Sequence, residues 1–146
     1  MVDEELPLAN LEDAERQINY FIVPEPRTLH RWVIVKKVDG IPIGTCGCHF
    51  WDVKDHICEI GCDLAPEFWG KGYMIEALRR VIDFGFDKME LNRIQAFTLL
   101  ENTRAVRLLL RLGFKQEGIY RDKELCRGVY YDHFQFSLLK REWSKA

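Results

Sequence analysis

Several features that mark common classes of protein are missing from this sequence. It has no apolar run long enough to span a membrane, and its acidic N-terminus does not resemble a signal peptide. It also lacks a basic tract. The chain has 21 basic and 23 acidic residues, which gives a net charge of −2. These absences argue against membrane and nucleic-acid partners and predict a cytoplasmic protein, with monomer or homodimer left open.

The cysteines do not form a disulfide framework, because there are five of them and their spacing is irregular. Cys46 and Cys48 form one pair, and Cys58 and Cys62 form another. Both pairs lie at even spacing in strand-like segments, so each projects onto one face of a sheet, whereas zinc knuckles usually take their ligands from tight turns. Buried free thiols are the expectation and a zinc module is the alternative. Cys126 is expected to be exposed in a polar loop.

Two familiar nucleotide-binding motifs are absent as well. There is no G-x-x-x-x-G-K-[ST] sequence, and Ile75 stands where G-x-G-x-x-G needs its third glycine. The chain has instead Gly70-Lys71-Gly72, between an apolar strand-like run and an amphipathic helix. Unpaired N–H groups and the helix dipole attract anions at a helix start, and glycines let a phosphate approach the backbone. An ordinary tight turn is the alternative.

The remaining segments alternate between helix and strand signals. Length and composition, 47% hydrophobic and 30% charged, predict one domain over residues 1–146. Asn10 predicts the cap of a helix that ends before Pro24, and Asp39-Gly40 predicts a hairpin turn. The other predicted segments are strands over 31–37, 41–51, 57–64, 93–99, 115–120 and 129–139, helices over 71–89 and 102–111, and a charged loop over 121–128.

This order of segments predicts the fold class. A strand, a helix and a second strand over residues 57–98 imply one parallel connection in an otherwise antiparallel sheet. The expected architecture is therefore α/β, in the α+β sense. It has a mixed, mostly antiparallel central sheet flanked by helices.

The glycine loop carries a family resemblance. The sequence Pro-Glu-Phe-Trp-Gly-Lys-Gly-Tyr-Met-Ile-Glu-Ala-Leu, residues 66–78, resembles the acetyl-CoA pyrophosphate loop of the GNAT N-acetyltransferases, in particular the Rim-type group of ribosomal-protein N-terminal acetyltransferases. The general pattern is [QR]-x-x-G-x-[GA], and Glu67 stands at its first position. Because Glu67 adds no positive charge, binding is expected to depend on backbone amides and Lys71.

Four further segments match the family in its order and extend the resemblance from about Trp32 to Trp143: residues 91–94, 101–106, 112–118 and 137–143. The family normally opens with a strand and another helix. In this sequence we expect either that the first strand is reduced to residues 6–9 or that the N-terminus is truncated. The resemblance implies the GNAT fold, in which the strand before the loop and the strand after its helix splay apart and form the acetyl-CoA cleft.

The resemblance also implies roles for individual residues. Glu59 is the candidate base for the amine, directly or through water, and Ser137 is the candidate donor to the leaving thiolate. Each has the alternative of an ordinary strand side chain. The candidate cofactor contacts are Leu64, Trp69, Gly70, Lys71, Gly72, Tyr73, Met74, Asn102 and Arg107, with Arg104 as a further arginine within reach of the phosphates. Spare candidates for the acid are Tyr120, Tyr130, Tyr131 and His133, and candidates for the acceptor side are His49, Trp32 and Trp51, with core packing favoured for the tryptophans.

The function implied by the resemblance is direct transfer of an acetyl group from acetyl-CoA to a primary amine, without a metal. Direct transfer needs a neutral amine, a donor for the oxyanion and a proton for the thiolate, but no covalent enzyme intermediate. The acceptor is a protein N-terminus or a small amine such as a polyamine. The alternative is a non-catalytic acyl-CoA-binding regulatory module.

Overall fold

The computed structural model describes residues 10–22 and 29–144, and the elements in this part of the chain follow the predicted order. They are α1 (Leu11–Ile22), β1 (His30–Val35), β2 (Pro42–Asp52), β3 (Ile57–Leu64), α2 (Tyr73–Asp87), β4 (Arg93–Leu99), α3 (Thr103–Arg111), β5 (Lys115–Cys126) and β6 (Val129–Leu139). The short strand expected over residues 6–9 lies outside the described residues.

The six strands form one sheet in the order β1-β2-β3-β4-β6-β5. Every neighbouring pair is antiparallel except β3 and β4, which run parallel and are connected through α2. A parallel pair needs such a crossover, because a tight turn can join only antiparallel strands. The mixed, mostly antiparallel sheet predicted from the sequence is confirmed.

One face of the sheet carries the hydrophobic core. Cys58, Ile94 and Leu138 are paired across β3, β4 and β6, and all three are buried. Buried side chains of α2 and α3, among them Leu78 and Leu109, pack in the same cluster. Because side chains alternate between the two faces of a strand, the residues between these core positions project from the opposite face.

Local signals in the sequence set the ends of several elements. The side-chain oxygen of Asn10 accepts the Asp13 N–H at 2.9 Å, and that of Asn102 accepts the Ala105 N–H at 3.1 Å, so both are helix caps. In the β1–β2 hairpin Gly40 has φ 72°, and it bonds back to Lys36. The predicted caps and hairpin turn are confirmed.

The loop predicted over residues 121–128 is wrong. Strand β5 continues to Cys126, and only Arg127 and Gly128, both with positive φ, form the turn into β6. The pairing shifts between Tyr120 and Glu124, where Asp122 has φ 49°. As an edge strand, β5 exposes most of its side chains, so charged residues occupy it without the alternating pattern that marks a half-buried strand.

Buried free thiols were predicted for Cys46, Cys48, Cys58 and Cys62, and the prediction is confirmed for three of these four. Cys46, Cys48 and Cys58 are buried and free, but Cys62 is exposed and Cys126 is half-buried at the end of β5. Cys62 lies near the end of β3, where the strand no longer pairs with β4. Within residues 10–22 and 29–144, no group of three or more His, Cys, Asp or Glu side chains is arranged to hold a metal ion.

Gly47 offers a test of how tightly β1 and β2 are packed. A Cβ atom there would overlap the His30 carbonyl oxygen and lie 2.7 Å from Arg31 Cα, so Gly47→Ala should push the strands apart. We expect the free energy of unfolding in urea to fall by about 3 kcal/mol. Gly118→Ala, where an added Cβ would meet nothing within 4 Å, is the matched control. Equal stability of the two variants would contradict the packing.

Candidate active site

A gap opens in the sheet at its one parallel junction. Strands β3 and β4 pair only over residues 57–59 and 93–95, although β3 continues to Leu64 and β4 to Leu99. Beyond the last pair, β3 follows β2 and β4 follows β6. We call the space between residues 60–64 and 96–99 the wedge, and the Glu59–Gln95 pair its apex. Strands that part in this way leave room for an extended ligand between them.

The open end of the wedge is lined by two helix starts, since α2 follows β3 and α3 follows β4. At the start of α2, Gly70 and Gly72 have φ values of 73° and 85°, and a Cβ on either would meet nothing within 4 Å. Gly72 is the N-cap and supplies no side-chain cap, so no capping side chain occupies the first N–H groups of α2. This arrangement suits an anion such as pyrophosphate.

Trp69 and Arg104 connect the two sides of this opening. The Trp69 indole N–H donates to the Leu64 carbonyl oxygen at 2.7 Å, which fixes the ring against the end of β3. The Arg104 guanidinium of α3 lies 4.1 Å from the centre of the same ring, in a cation–π contact. The structure therefore places Arg104 at the mouth of the wedge, while Arg107 is exposed farther along α3.

The other predicted cofactor residues take different positions in this region. Lys71 lies 5.7 Å from the centre of the Phe68 ring, and Tyr73 meets the same ring edge-on at 6.2 Å. Met74 is buried in the core, so only its backbone N–H is available to a ligand. Asn102 caps α3 beside the mouth.

The candidate catalytic residues lie in one row across the sheet, at the apex of the wedge. His49 pairs with Glu59, Glu59 with Gln95, and Gln95 with Ser137. Residues directly opposite one another share a face, and this row projects away from the core that contains Cys58 and its partners. We call these four residues the apex row. The structure thus places Glu59 and Ser137, which are 78 positions apart in the sequence, on the two strands that flank Gln95.

Ser137 has a strong partner of its own. It is buried, and its hydroxyl donates to Glu117 at 2.7 Å. Glu117 also accepts two hydrogen bonds from the Arg93 guanidinium, at 2.9 and 2.5 Å. The bonds from Arg93 and then Ser137 lower the pKa of Glu117 to about 2. Glu117 is therefore a carboxylate at neutral pH, and it holds the hydroxyl proton of Ser137.

A second polar cluster occupies the same face beside the apex row. The Arg31 guanidinium donates from Nε to Thr45 Oγ1 at 3.0 Å, and its Nη1 lies 3.1 Å from His49 Nε2. Its Nη2 forms an ion pair with Asp63. Arg31 thus connects β1 with β2 and β3. Asp63, whose side chain is mostly exposed, is therefore engaged in an ion pair at the edge of this cluster.

The two tryptophans and the spare acid candidates lie outside the apex row. Trp32 and Trp51 pack against the core, beside His30 and Phe84, which confirms core packing for both tryptophans. The spare acid candidates also have defined environments: Tyr120 meets Phe97 edge-on, Tyr130 is exposed, Tyr131 is half-buried, and His133 pairs with Glu124 at 3.0 Å.

The buried thiols are poorly suited to be nucleophiles. Burial raises the pKa of Cys46 to about 11, and a hydrogen bond with Cys48, together with burial, raises that of Cys58. Because the thiolate is the reactive form, these side chains remain unreactive at neutral pH. Direct transfer between two bound substrates requires no such nucleophile.

The sequence also matches a known family, described as an acetyltransferase (GNAT) domain, over residues 5–115. The chain belongs to the GNAT family. The resemblance seen at the glycine loop is therefore confirmed, and the wedge at the β3–β4 junction agrees with the splayed cleft expected of a GNAT protein. No helix in the described part of this GNAT chain is long and apolar enough to cross a membrane.

Individual GNAT relatives differ in what their names describe. The chain is 46% identical over 112 residues to the uncharacterized N-acetyltransferase p20 of Bacillus licheniformis, covering 77% of this chain and 62% of p20. It is 37% identical over 105 residues to YdaF of Bacillus subtilis, a putative ribosomal N-acetyltransferase, covering 72% of this chain and 57% of YdaF. The chain therefore matches about three fifths of the length of these relatives.

A solved GNAT structure is similar over nearly the whole chain. The spermidine N-acetyltransferase from Vibrio cholerae, solved in complex with CoA and spermine, has a TM-score of 0.82 and is 25% identical. The similarity covers 94% of this chain and 80% of that one. The fold class predicted from the sequence is confirmed by this similarity.

Sequence reasoning missed four polar residues in or beside the candidate site: Arg31, Arg93, Gln95 and Glu117. Only the strand register brings them near their neighbours: Arg31 meets His49 from 18 positions away, Arg93 meets Glu117 from 24, and Gln95 pairs with Glu59 and Ser137. The sequence offered one signal: Arg93 and Gln95 are two positions apart in β4, so their side chains lie on the same face of the sheet. Alternation along one strand does not show which residues of a neighbouring strand lie opposite.

The ion pair of Glu117 predicts a specific pH dependence of stability. Because its pKa is lowered in the folded protein, the stabilisation from ionised Glu117 is present above about pH 4.5 and is lost as the pH falls toward about 2. We expect Glu117→Gln to lower the free energy of unfolding by about 1 kcal/mol at pH 7, since the side chain is 40% exposed and screened.

This difference between wild type and Glu117→Gln should shrink as the pH falls from 4.5 to 2 in parallel urea titrations. Glu101→Gln, the same change at an exposed position, is the control and should give no comparable difference at pH 7. A difference that stays constant from pH 7 to pH 2 would mean that the charge of Glu117 is not what stabilises the fold.

Proposed function

We propose that this chain is an acetyl-CoA-dependent N-acetyltransferase that transfers the acetyl group directly to a primary amine. The observation that carries the proposal is the wedge between β3 and β4, which has two helix starts at its mouth, Glu59 at its apex and Ser137 on the next strand beside Gln95. The ligand that fits has an anionic end and an extended arm. Acetyl-CoA has this form, with a pyrophosphate, two amides in the arm and a thioester at the tip.

The mouth of the wedge suits the pyrophosphate. In this proposal, the N–H groups around Gly70 and Gly72 bind its oxygens and Lys71 adds a positive charge. Trp69 and Arg104 hold the two sides of the mouth together, and Asn102 and Arg107 are nearby on α3. Glu67 contributes no positive charge, so backbone amides provide most of the binding.

The inner edges of the wedge suit the arm of CoA. Residues 60–64 of β3 have no strand beside them on the wedge side among the described residues, and neither do residues 96–99 of β4. Strand edges carry N–H and C=O groups that require partners. The two amides of the arm supply such groups, so the arm takes the place of a paired strand and brings the thioester to Glu59 and Gln95.

Glu59 and Ser137 have complementary proposed roles at the apex. Glu59, which is half-buried, accepts a proton from the substrate ammonium directly or through water, and the neutral amine then attacks the thioester carbonyl. Ser137 donates a hydrogen bond to the departing thiolate after its hydroxyl turns from Glu117, and the thiolate takes up the second proton that the attacking nitrogen loses as the amide forms. The two bonds from Arg93 keep Glu117 satisfied during that change.

The acceptor is proposed only as a class, a primary amine. The name of YdaF describes a putative ribosomal N-acetyltransferase, while the Vibrio cholerae structure contains spermine. A protein N-terminus and a polyamine are therefore both candidates. A non-catalytic CoA-binding module remains the alternative, and it predicts binding without turnover.

The first test is isothermal titration with acetyl-CoA, followed by thiol release against a panel of N-terminal peptides and polyamines. We expect micromolar binding and thiol release with one acceptor class. Gly72→Glu should weaken acetyl-CoA binding at least 100-fold, because it places a side chain and a negative charge where the N–H groups meet pyrophosphate.

Gly128→Glu is the matched control for that variant. It adds the same charge at a glycine of similar φ, 79°, with equal open space, but in the β5–β6 turn. Its affinity for acetyl-CoA should equal that of the wild type. Equal affinity of Gly72→Glu would refute the pyrophosphate assignment, and tight binding without thiol release on any acceptor would support the binding module instead.

The roles of Glu59 and Ser137 are separated by kinetics. Glu59→Gln should lower kcat about 100-fold with little change in acetyl-CoA affinity, because the amine loses its base. Ser137→Ala should lower kcat only modestly, since a serine hydroxyl is a weak acid. The measurement is the rate of thiol release between pH 6 and 8. Wild-type turnover by Glu59→Gln would remove Glu59 as the base.

A further inference from the structure

Arg31 has a defined contact with His49 that determines where the imidazole proton lies. A guanidinium has only N–H donors and no acceptor. Because Arg31 Nη1 lies 3.1 Å from His49 Nε2, that nitrogen must offer its lone pair. A neutral imidazole carries its proton on the other nitrogen, so His49 is the Nδ1–H form. A protonated His49 would direct an N–H donor at the cation.

The position of Arg31 is well constrained. Its Nε donates to Thr45 Oγ1 at 3.0 Å, and its Nη2 forms the ion pair with Asp63. The side chain is only 15% exposed. Contacts from three nitrogens to three residues hold the plane of the guanidinium, as expected for a rigid fork.

Gly61 provides the space in which Arg31 and His49 meet. A Cβ there would lie 3.3 Å from His49 Cε1, 3.7 Å from His49 Nδ1 and 3.8 Å from Arg31 Nη1. The Nδ1 edge of the imidazole is therefore turned toward β3. Glu59, the strand partner of His49, lies on the same face.

We propose that Arg31 is a positioning residue that holds His49 as a neutral Nδ1–H imidazole beside Glu59. This inference rests on the proposed function, in which Glu59 removes the proton from the amine. With its Nε2 lone pair engaged, His49 does not compete for that proton. With no charge on His49, the incoming ammonium meets the carboxylate of Glu59 without a second cation in the apex row.

Among the charged groups of the described elements, Arg31 of β1 contacts His49, Glu59 of β3 is its strand partner, and Asp63 of β3 is paired with Arg31. Of these, only Arg31 opposes a positive charge on the imidazole. Its removal should therefore allow His49 to take up a proton in the ordinary range of histidine, around pH 6.5. The resulting imidazolium would weaken Glu59 as a base and repel the ammonium.

The test combines a spectrum with a pH profile. Nitrogen-15 NMR of the imidazole at pH 7.5 should show the Nδ1–H form in the wild type and lose that form in Arg31→Met. Thr45→Val is the matched control, because it removes another hydrogen bond of Arg31 and leaves the contact with His49. Its spectrum should match the wild type. The spectra require neither acetyl-CoA nor an acceptor.

The pH profile is measured in thiol-release assays. At pH 5.5 the kcat/KM of Arg31→Met should be about tenfold lower than that of the double variant Arg31→Met/His49→Gln, because the glutamine at position 49 cannot be protonated. Acetyl-CoA affinity should be unchanged in both. An Nε2–H imidazole in the wild type would overturn the proposal even if Arg31→Met failed to fold. Equal pH profiles of the single and double variants would also overturn it. Failure of acetyl-CoA to bind the wild type would instead refute the proposed function, leaving the spectra intact.

Discussion

The early separation of β3 and β4 is the constraint on which the rest of this site depends. Each strand is held on its outer side by an antiparallel partner, β2 or β6, so the two parallel strands part after three residue pairs without losing their place in the sheet. The separation leaves backbone edges that require hydrogen bonds, and it directs the starts of α2 and α3 to one opening. An extended ligand with an anionic end satisfies both requirements.

The polar face of the sheet is organised by two arginines, one on each side of the wedge. Arg31 connects β1 with β2 and β3, and Arg93 connects β4 with Glu117 of β5. The bonds from Arg93 keep Glu117 ionised, and in our proposal the contact with Arg31 keeps His49 neutral. The catalytic candidates Glu59 and Ser137 therefore lie between neighbours of fixed charge. This suits a site that must move a proton from an amine without competing acceptors.

Much of the fold was predictable because its signals are local. The helix caps at Asn10 and Asn102, the hairpin glycine and the apolar alternation of β3 and β4 each involve residues within a few positions of one another. The extension of β5 was not predictable in the same way. An outer strand exposed on both faces has no apolar alternation, so its charged residues suggested a loop.

The sequence by itself determined the order of the elements, the glycine loop at the start of α2 and membership of the GNAT family, because these depend on the types and spacing of neighbouring residues. Only the tertiary structure decided that Arg104 contacts Trp69, that Ser137 donates to Glu117 and that Arg31 meets His49. These contacts depend on strand register and helix placement, which bring together side chains from distant parts of the chain. A shift of one residue in the pairing of any of these strands would move its side chains to the other face of the sheet and separate the residues of the site.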